Sequence, residues 1–465
     1  MDTLNSTSAE GLTEAMIRVL DASLPASLDP TPPTSSLVVW TTRAEPEVDP
    51  LAIVAGADHE DTFFWQIPVG NRSFVGIGQA WETTSDGVNR FKDLDAAIDH
   101  VRDTTTLVGE PISPTLGAGF AFAEASDWNA LPPALARLPR LAHVQDGEDS
   151  YWQIATRIGE PGSTRSERIA RELITGMQSI MDLAATPLPK PIAIGAVPTP
   201  GDDPAYRKLV SAGLKSIHRG EFDKVVLARS VDTPATPALG PLLARLRQQH
   251  PEAATFAVGN GVVFCGATPE LLVRWSAADE TATSAALAGT TRRGTTEAED
   301  ASLAAELLND PKQLAEHQFV VDHLLDRFSS SGMEPRSSAT DLMKLSNVQH
   351  LRTAVVATGS VPDGVLGLAD QLHPTPAVGG TPDSTALDFI NRHEGLDRGW
   401  YAGPVGIVTL DGDGEFWVAL RCALLEKDHT TLFAGAGIVA GSDPDSELEE
   451  TTLKLQNLGA LIGLT

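Results

Sequence analysis

Apolar positions recur along the chain with two different periods. Residues 9–21 (AEGLTEAMIRVLD) carry them at helical spacing, and 91–103 return to that period. Residues 36–41 (SLVVWT), 73–79 (SFVGIGQ) and 117–123 (GAGFAFA) instead predict strands, the last one spaced by glycines. From 164 to 184 the run TRSERIARELITGMQSIMDLA sets Ile169, Leu173 and Met177 on one stripe, which predicts a long amphipathic helix. Residues 186–205 break the pattern with repeated prolines. Proline fixes φ and removes a donor, so this stretch predicts a connector between an N-terminal half, 1–190, and a second half, 203–465, of one compact body. Asp203-Pro204 predicts a helix start, the aspartate capping and the proline taking the first helical position. Beyond it, short apolar strands are predicted at 224–231, 262–266, 403–410, 416–425 and 431–439. Helices are predicted near 298–330 and from 445 onward.

Charge narrows the function classes. The 465 residues include 34 basic and 62 acidic side chains, a formal net charge of −28. Such a field excludes a general nucleic-acid binder and argues against an anionic membrane surface as partner. At 42% apolar and 21% charged, the composition is that of a globular protein. Cys265 and Cys422 are the only cysteines, too few for a disulfide framework or a four-cysteine zinc site. The opening MDTLNSTSAE lacks the basic-then-apolar order of a signal peptide, and no apolar run reaches membrane-spanning length, so a soluble cytoplasmic protein is expected.

Ionisable residues in apolar context carry the chemistry. In FDKVVLARSV (222–231) strand alternation sets Lys224, Val226 and Ala228 on one face. A lysine there either snorkels to the edge or, held inside, is desolvated into a usable general base. In VVFCGATPELLVRW (262–275), Glu270 is either a helix-start residue favoured by the macrodipole or a buried proton donor with a raised pKa. Glu316-His317 falls on a predicted helix. In SELEETTLK, Glu447, Glu450 and Lys454 share one helical face. Glu450 and Lys454 have the spacing of a surface ion pair, yet two carboxylate-bearing helices facing each other would suit Mg²⁺, which prefers oxygen ligands. A zinc reading of His317 and His323 is weaker, because i, i+6 separates their faces. The glycine-rich pieces AGTTRRG (288–294), AVGG (377–380) and FAGAGIVAG (433–441) match no Walker or dinucleotide fingerprint and read first as tight turns.

Taken together and in order, FDKVVLAR, GATPELLVR, LAGTTRRG, AEHQFVVD, VQHL, HPTPAVGG, WYAGPVG, ALRCALL, FAGAGIV and ELEETTLK resemble the chorismate-utilising enzymes over roughly 203–460. The family includes isochorismate, salicylate, anthranilate and aminodeoxychorismate synthases, and the nearest resemblance is to isochorismate synthases of the menaquinone type. The siderophore branch performs the same chemistry. The resemblance implies an α/β (α+β) fold of two large antiparallel sheets packed together with helices outside. It implies Lys224 as the base that activates water and Glu270 as the acid that protonates the departing hydroxyl. It also implies Mg²⁺ held by Glu316 and Glu450 with Glu447 contributing. Arg421 and Lys454 would capture the dianionic substrate, Gly289, Thr290, Tyr401, Ala436 and Gly437 would line it, and His373 would contact the ring region. The ammonia-using members carry other residue types where Lys224 stands, so no glutaminase subunit is expected. A monomer or weak homodimer is expected, and the alternatives are a salicylate synthase that goes on to expel pyruvate and a non-catalytic chorismate-binding protein.

Overall fold

A computed structural model describes residues 37–44, 48–57, 61–128, 131–157, 165–193, 201–234, 236–345, 348–361 and 363–461. The helix predicted at 9–21 lies outside them. Two sheets organise the described residues. The first has twelve strands in the order Gly380–Thr381, Lys224–Thr233, Thr430–Ile438, Cys422–Leu425, Val263–Thr268, Ala254–Gly259, Thr62–Ile67, Arg72–Ile77, Leu141–Asp146, Asp149–Arg157, Leu37–Arg43 and Thr105–Gly109. The second has ten, running Glu334–Ser337, Val348–Thr358, Thr281–Arg292, Leu271–Ser276, Gly414–Val418, Pro404–Thr409, Thr115–Phe120, Ala134–Leu138 and Trp81–Ser85, with Asp341–Lys344 also paired to Val348–Thr358. Each sheet therefore mixes strands from before residue 158 with strands from after residue 223. The pairings are antiparallel with one departure from the expected pattern. At the far edge of the twelve-stranded sheet, Leu37–Arg43 and Thr105–Gly109 run parallel.

Alternation along the strands explains why the sheets pack on each other. In Thr62–Ile67, Phe63 and Trp65 enter the large core shared by both sheets, together with Phe256, Phe264, Phe120 and Phe416. Phe64 points the other way, into a second core with Leu242, Leu243, Leu246, Leu455 and Leu458 from the helices Leu239–Gln249 and Pro444–Leu461. The two cysteines follow the same rule: Cys265 faces the outer core and Cys422 the inner one, both as free thiols. The helix Arg165–Ala184 forms as its stripe predicts, with Leu173 and Met177 packed against Val38 and Ile154. Asp203 caps the helix Pro204–His218 by accepting from the Tyr206 N–H at 2.9 Å.

Among the described residues no helix is long and apolar enough to cross a membrane.

Candidate active site

One cavity of about 270 Å³ opens where the Lys224 end of the first sheet meets the second sheet and the helices Pro311–Ser330 and Pro444–Leu461. Lys224 begins its strand pointing inward, and its residue is only 1% exposed. The amine does not snorkel. Its Nζ meets Glu316 Oε1 at 2.9 Å in an ion pair. The facing strand makes room for the pair at Gly437, where a Cβ would sit 2.8 Å from Glu316 Oε1 and 3.1 Å from Lys224 Cε. A larger residue there would push the two side chains aside.

Glu270 sits in the tight connection between the strands Val263–Thr268 and Leu271–Ser276, not at a helix start. Its backbone is fixed by the Val418 N–H donating to its carbonyl at 2.9 Å, and its Oε1 accepts from Thr375 Oγ1 at 3.4 Å. Burial pushes this carboxyl up to about 7, against the opposing pull of the Lys224 charge and the Thr375 hydroxyl. An acid that keeps its proton near neutrality therefore shares a cavity with a buried amine.

The strand predicted as continuous over 416–425 is in fact two, Gly414–Val418 and Cys422–Leu425. Arg421 lies in the break with φ at 48°, a left-handed conformation that a non-glycine residue adopts only under constraint. The constraint is tertiary: its carbonyl accepts from the Ala267 N–H at 3.2 Å. Its Nη2 donates to His350 Nε2 at 3.2 Å. Because guanidinium can only donate, Nε2 carries the lone pair, and His350 Nδ1 carries the proton toward Thr290 Oγ1 at 2.9 Å. Burial, with Arg421 and Lys454 nearby, pulls His350 down to about 3, so it stays neutral. Burial also lowers Arg421 to about 10, with no carboxylate opposing the effect. A half-buried guanidinium with no counter-charge and an unpartnered Nη1 has the chemistry to receive an anion. His350 lies in the VQHL segment, and its role was missed because strand alternation marks a face but not which loop meets it.

Three carboxylates share the opposite wall: Glu316, Glu447 and Glu450. Burial raises Glu447, and the like charges of Glu450 and Glu316 add to the effect. Lys454 bridges Glu450 at 2.7 Å and the Gly435 carbonyl at 2.9 Å. The donor set is all oxygen and crowded with negative charge, which fits a hard divalent cation such as Mg²⁺. In their present rotamers Glu316 and Glu450 each grip a lysine, and no three such side chains among the described residues converge on one point.

The remaining predicted residues divide. Gly289, Thr290 and Tyr401 line the cavity. Gly289 adopts φ of 77°, which turns the Thr290 N–H toward Gln313 Oε1 at 3.1 Å. Tyr401 is buried and stacked on Phe433, with ring centroids 5.3 Å apart, and burial raises its phenol. Ala436 and His373 do not line it. Ala436 is packed into the inner core, paired with Leu227 on the neighbouring strand, while Gly435 and Gly437 on either side of it reach the cavity. His373 bonds the Phe122 carbonyl at 3.1 Å and packs edge-on against that ring, while Ala377 and Val378 of the same segment reach the cavity wall. His317 and His323 are likewise structural, bonding Thr353 Oγ1 at 2.8 Å and the Leu372 carbonyl at 3.1 Å.

Residues 27–463 match the family described as chorismate binding enzyme. A salicylate biosynthesis isochorismate synthase of Pseudomonas aeruginosa is 36% identical over 436 residues, covering 90% of this chain and 89% of that protein. The isochorismate synthase MenF of Bacillus subtilis is 31% identical over 420 residues, covering 86% of this chain and 88% of its own. The solved structure of the menaquinone-specific isochorismate synthase MenF from Escherichia coli superposes with a TM-score of 0.77 at 26% identity, covering 97% of this chain and 99% of that one. Anthranilate synthase component I from Streptococcus pneumoniae shares the fold, with a TM-score of 0.67 at 18% identity. On a family match spanning nearly its whole length, and on relatives aligned over most of theirs, this chain belongs to the chorismate binding enzymes.

Proposed function

We propose that this enzyme is an isochorismate synthase, converting chorismate to isochorismate with Mg²⁺ as cofactor. The observation that carries the reading is the pairing, in one cavity, of buried Lys224 with a Glu270 carboxyl that titrates near neutrality. Relatives whose names state this activity, matched along most of the chain, support it.

The chemistry asked of the residues balances. A water oxygen bonds to C2 of the ring and its proton goes to the Lys224 amine. The C4–oxygen bond breaks, the ring double bonds shift between the two carbons, and Glu270 gives its proton to the departing hydroxyl, which leaves as water. One water enters and one leaves, so the net reaction is an isomerisation. The base role requires a neutral amine, so the Glu316 carboxylate must give up its contact with Lys224 Nζ when substrate is engaged. A positioned acid and a positioned base each contribute on the order of 10²–10⁴-fold.

Chorismate is a dianion, and a chain at −28 repels it at long range, although screening confines that cost to about 8–10 Å. Capture therefore falls to local groups. Arg421 offers its unpaired Nη1 to the side-chain carboxylate. Glu316, Glu447 and Glu450 would hold Mg²⁺ against the ring carboxylate, where the ion supplies charge neutralisation and orientation. The direct test incubates purified protein with chorismate, with and without Mg²⁺, and identifies products by chromatography. Isochorismate formed only with the metal is expected. Salicylate with pyruvate would assign the alternative synthase, and unchanged chorismate would overturn the reading.

A further inference from the structure

The cavity that Arg421 lines is also bordered by Leu246 of the helix Leu239–Gln249, by His250 just after it, and by Ala434 and Leu458. His250 ends that helix, its N–H bonding the Leu246 carbonyl at 3.0 Å, and the residue is only 2% exposed. Both of its ring nitrogens are buried without a hydrogen-bond partner. Buried polar groups are almost always satisfied, so this is a departure that calls for a cause. The other histidines inside the protein provide the control. His143 bonds Ser150, His317 bonds Thr353, His323 bonds the Leu372 carbonyl, His350 bonds Thr290 and Arg421, and His373 bonds the Phe122 carbonyl. Each uses at least one ring nitrogen. Among the cavity-lining residues described, buried unpartnered side-chain atoms occur on His250 and on Arg421, at Nη1, and nowhere else.

We propose that His250 is a substrate-positioning residue, donating a hydrogen bond to the same side-chain carboxylate that Arg421 receives. The inference rests on the reading of chorismate as substrate. Two orphaned groups that line one cavity, close enough for the Arg421 charge to act on His250, match the two oxygens of a carboxylate. Arg421 supplies the charge. A neutral imidazole has one N–H to give, and burial with the Arg421 charge nearby holds His250 at about 4, hence neutral in the working range. A neutral second donor adds selectivity for a flat, two-oxygen anion without a second buried positive charge. His250 bonds neither Lys224 nor Glu270, so its effect belongs in binding rather than in the chemical step.

The test uses the full chain with Lys224→Ala, so that chorismate is not consumed during calorimetric titration. Adding His250→Leu should weaken chorismate binding about tenfold, the effect of one hydrogen bond to a charged group. The chorismate derivative with its side-chain carboxylate methylated should lose less than about twofold from the same change. His250→Asn, which restores a donor, should recover most of the affinity. In the otherwise native enzyme His250→Leu should raise KM about tenfold while kcat moves less than about threefold. Equal chorismate affinity with and without His250→Leu, or equal losses for acid and ester, would overturn the proposal while leaving the substrate assignment intact. Failure of the Lys224→Ala protein to bind chorismate at all would overturn both.

Discussion

Replacing Glu270 with glutamine should slow the enzyme and, at alkaline pH, steady it. The carboxyl is buried between two strands, and its pKa stands at about 7 against an ordinary 4.5. The folded state thus binds this proton more tightly than the unfolded chain, by about 3 kcal/mol at about 1.4 kcal/mol per tenfold. For a raised carboxyl the stabilisation is complete below 4.5 and is lost as pH climbs through about 7. Chemical denaturation between pH 5 and pH 8 should therefore show the native enzyme losing about 2.5 kcal/mol more than Glu270→Gln loses over the same interval. Activity should move oppositely. The acid must hold its proton, so turnover of the native enzyme should fall about tenfold per pH step above 7, and Glu270→Gln should lose at least about a hundredfold relative to the native enzyme below pH 7, a gap that narrows at higher pH. Near-normal turnover in the glutamine variant, or identical pH dependence of stability in both proteins, would refute the assignment of Glu270 as a buried proton donor.

Lys224→Ala should lower turnover at least about a hundredfold, measured by chorismate consumption, while chorismate binding survives. Chelation with EDTA should abolish product formation and added Mg²⁺ should restore it, and Glu450→Gln should raise the Mg²⁺ concentration needed for half-maximal rate. Arg398→Ala should destabilise the fold by about 3–5 kcal/mol in urea titration. That change strands Glu394, which bonds both the Arg398 guanidinium at 2.6 Å and the Ala228 N–H, and it frees the Val226 and Val378 carbonyls that border the cavity.

Much of this was legible before any coordinates. Strand alternation in 224–231 set Lys224, Val226 and Ala228 on one face but left open whether the amine reached the edge or stayed inside, and the motif order pointed to two packed sheets. What could not be read is how distant loops meet. Nothing in VALRCALL shows that the strand breaks at Arg421, because the break is imposed by a hydrogen bond to the Ala267 N–H. Glu270 looked equally like a helix start, since the GATPE run offers the same local signal in both settings. Ala436 and His373 were placed toward the substrate and lie elsewhere. One is packed into the inner core, and the other is held by the Phe122 carbonyl, contributed by a segment 251 residues away. His250 carries no motif at all. It becomes visible only when the cavity wall shows a histidine with neither nitrogen satisfied.

The central claim is that water adds at one ring carbon while the hydroxyl leaves another, with Lys224 and Glu270 at the two ends. Running the reaction in ¹⁸O-labelled water and examining product by mass spectrometry tests it most directly. The account predicts isochorismate bearing one labelled oxygen, at the C2 hydroxyl, from the first turnovers. Unlabelled isochorismate would mean that the original hydroxyl migrates without solvent, and would contradict the account.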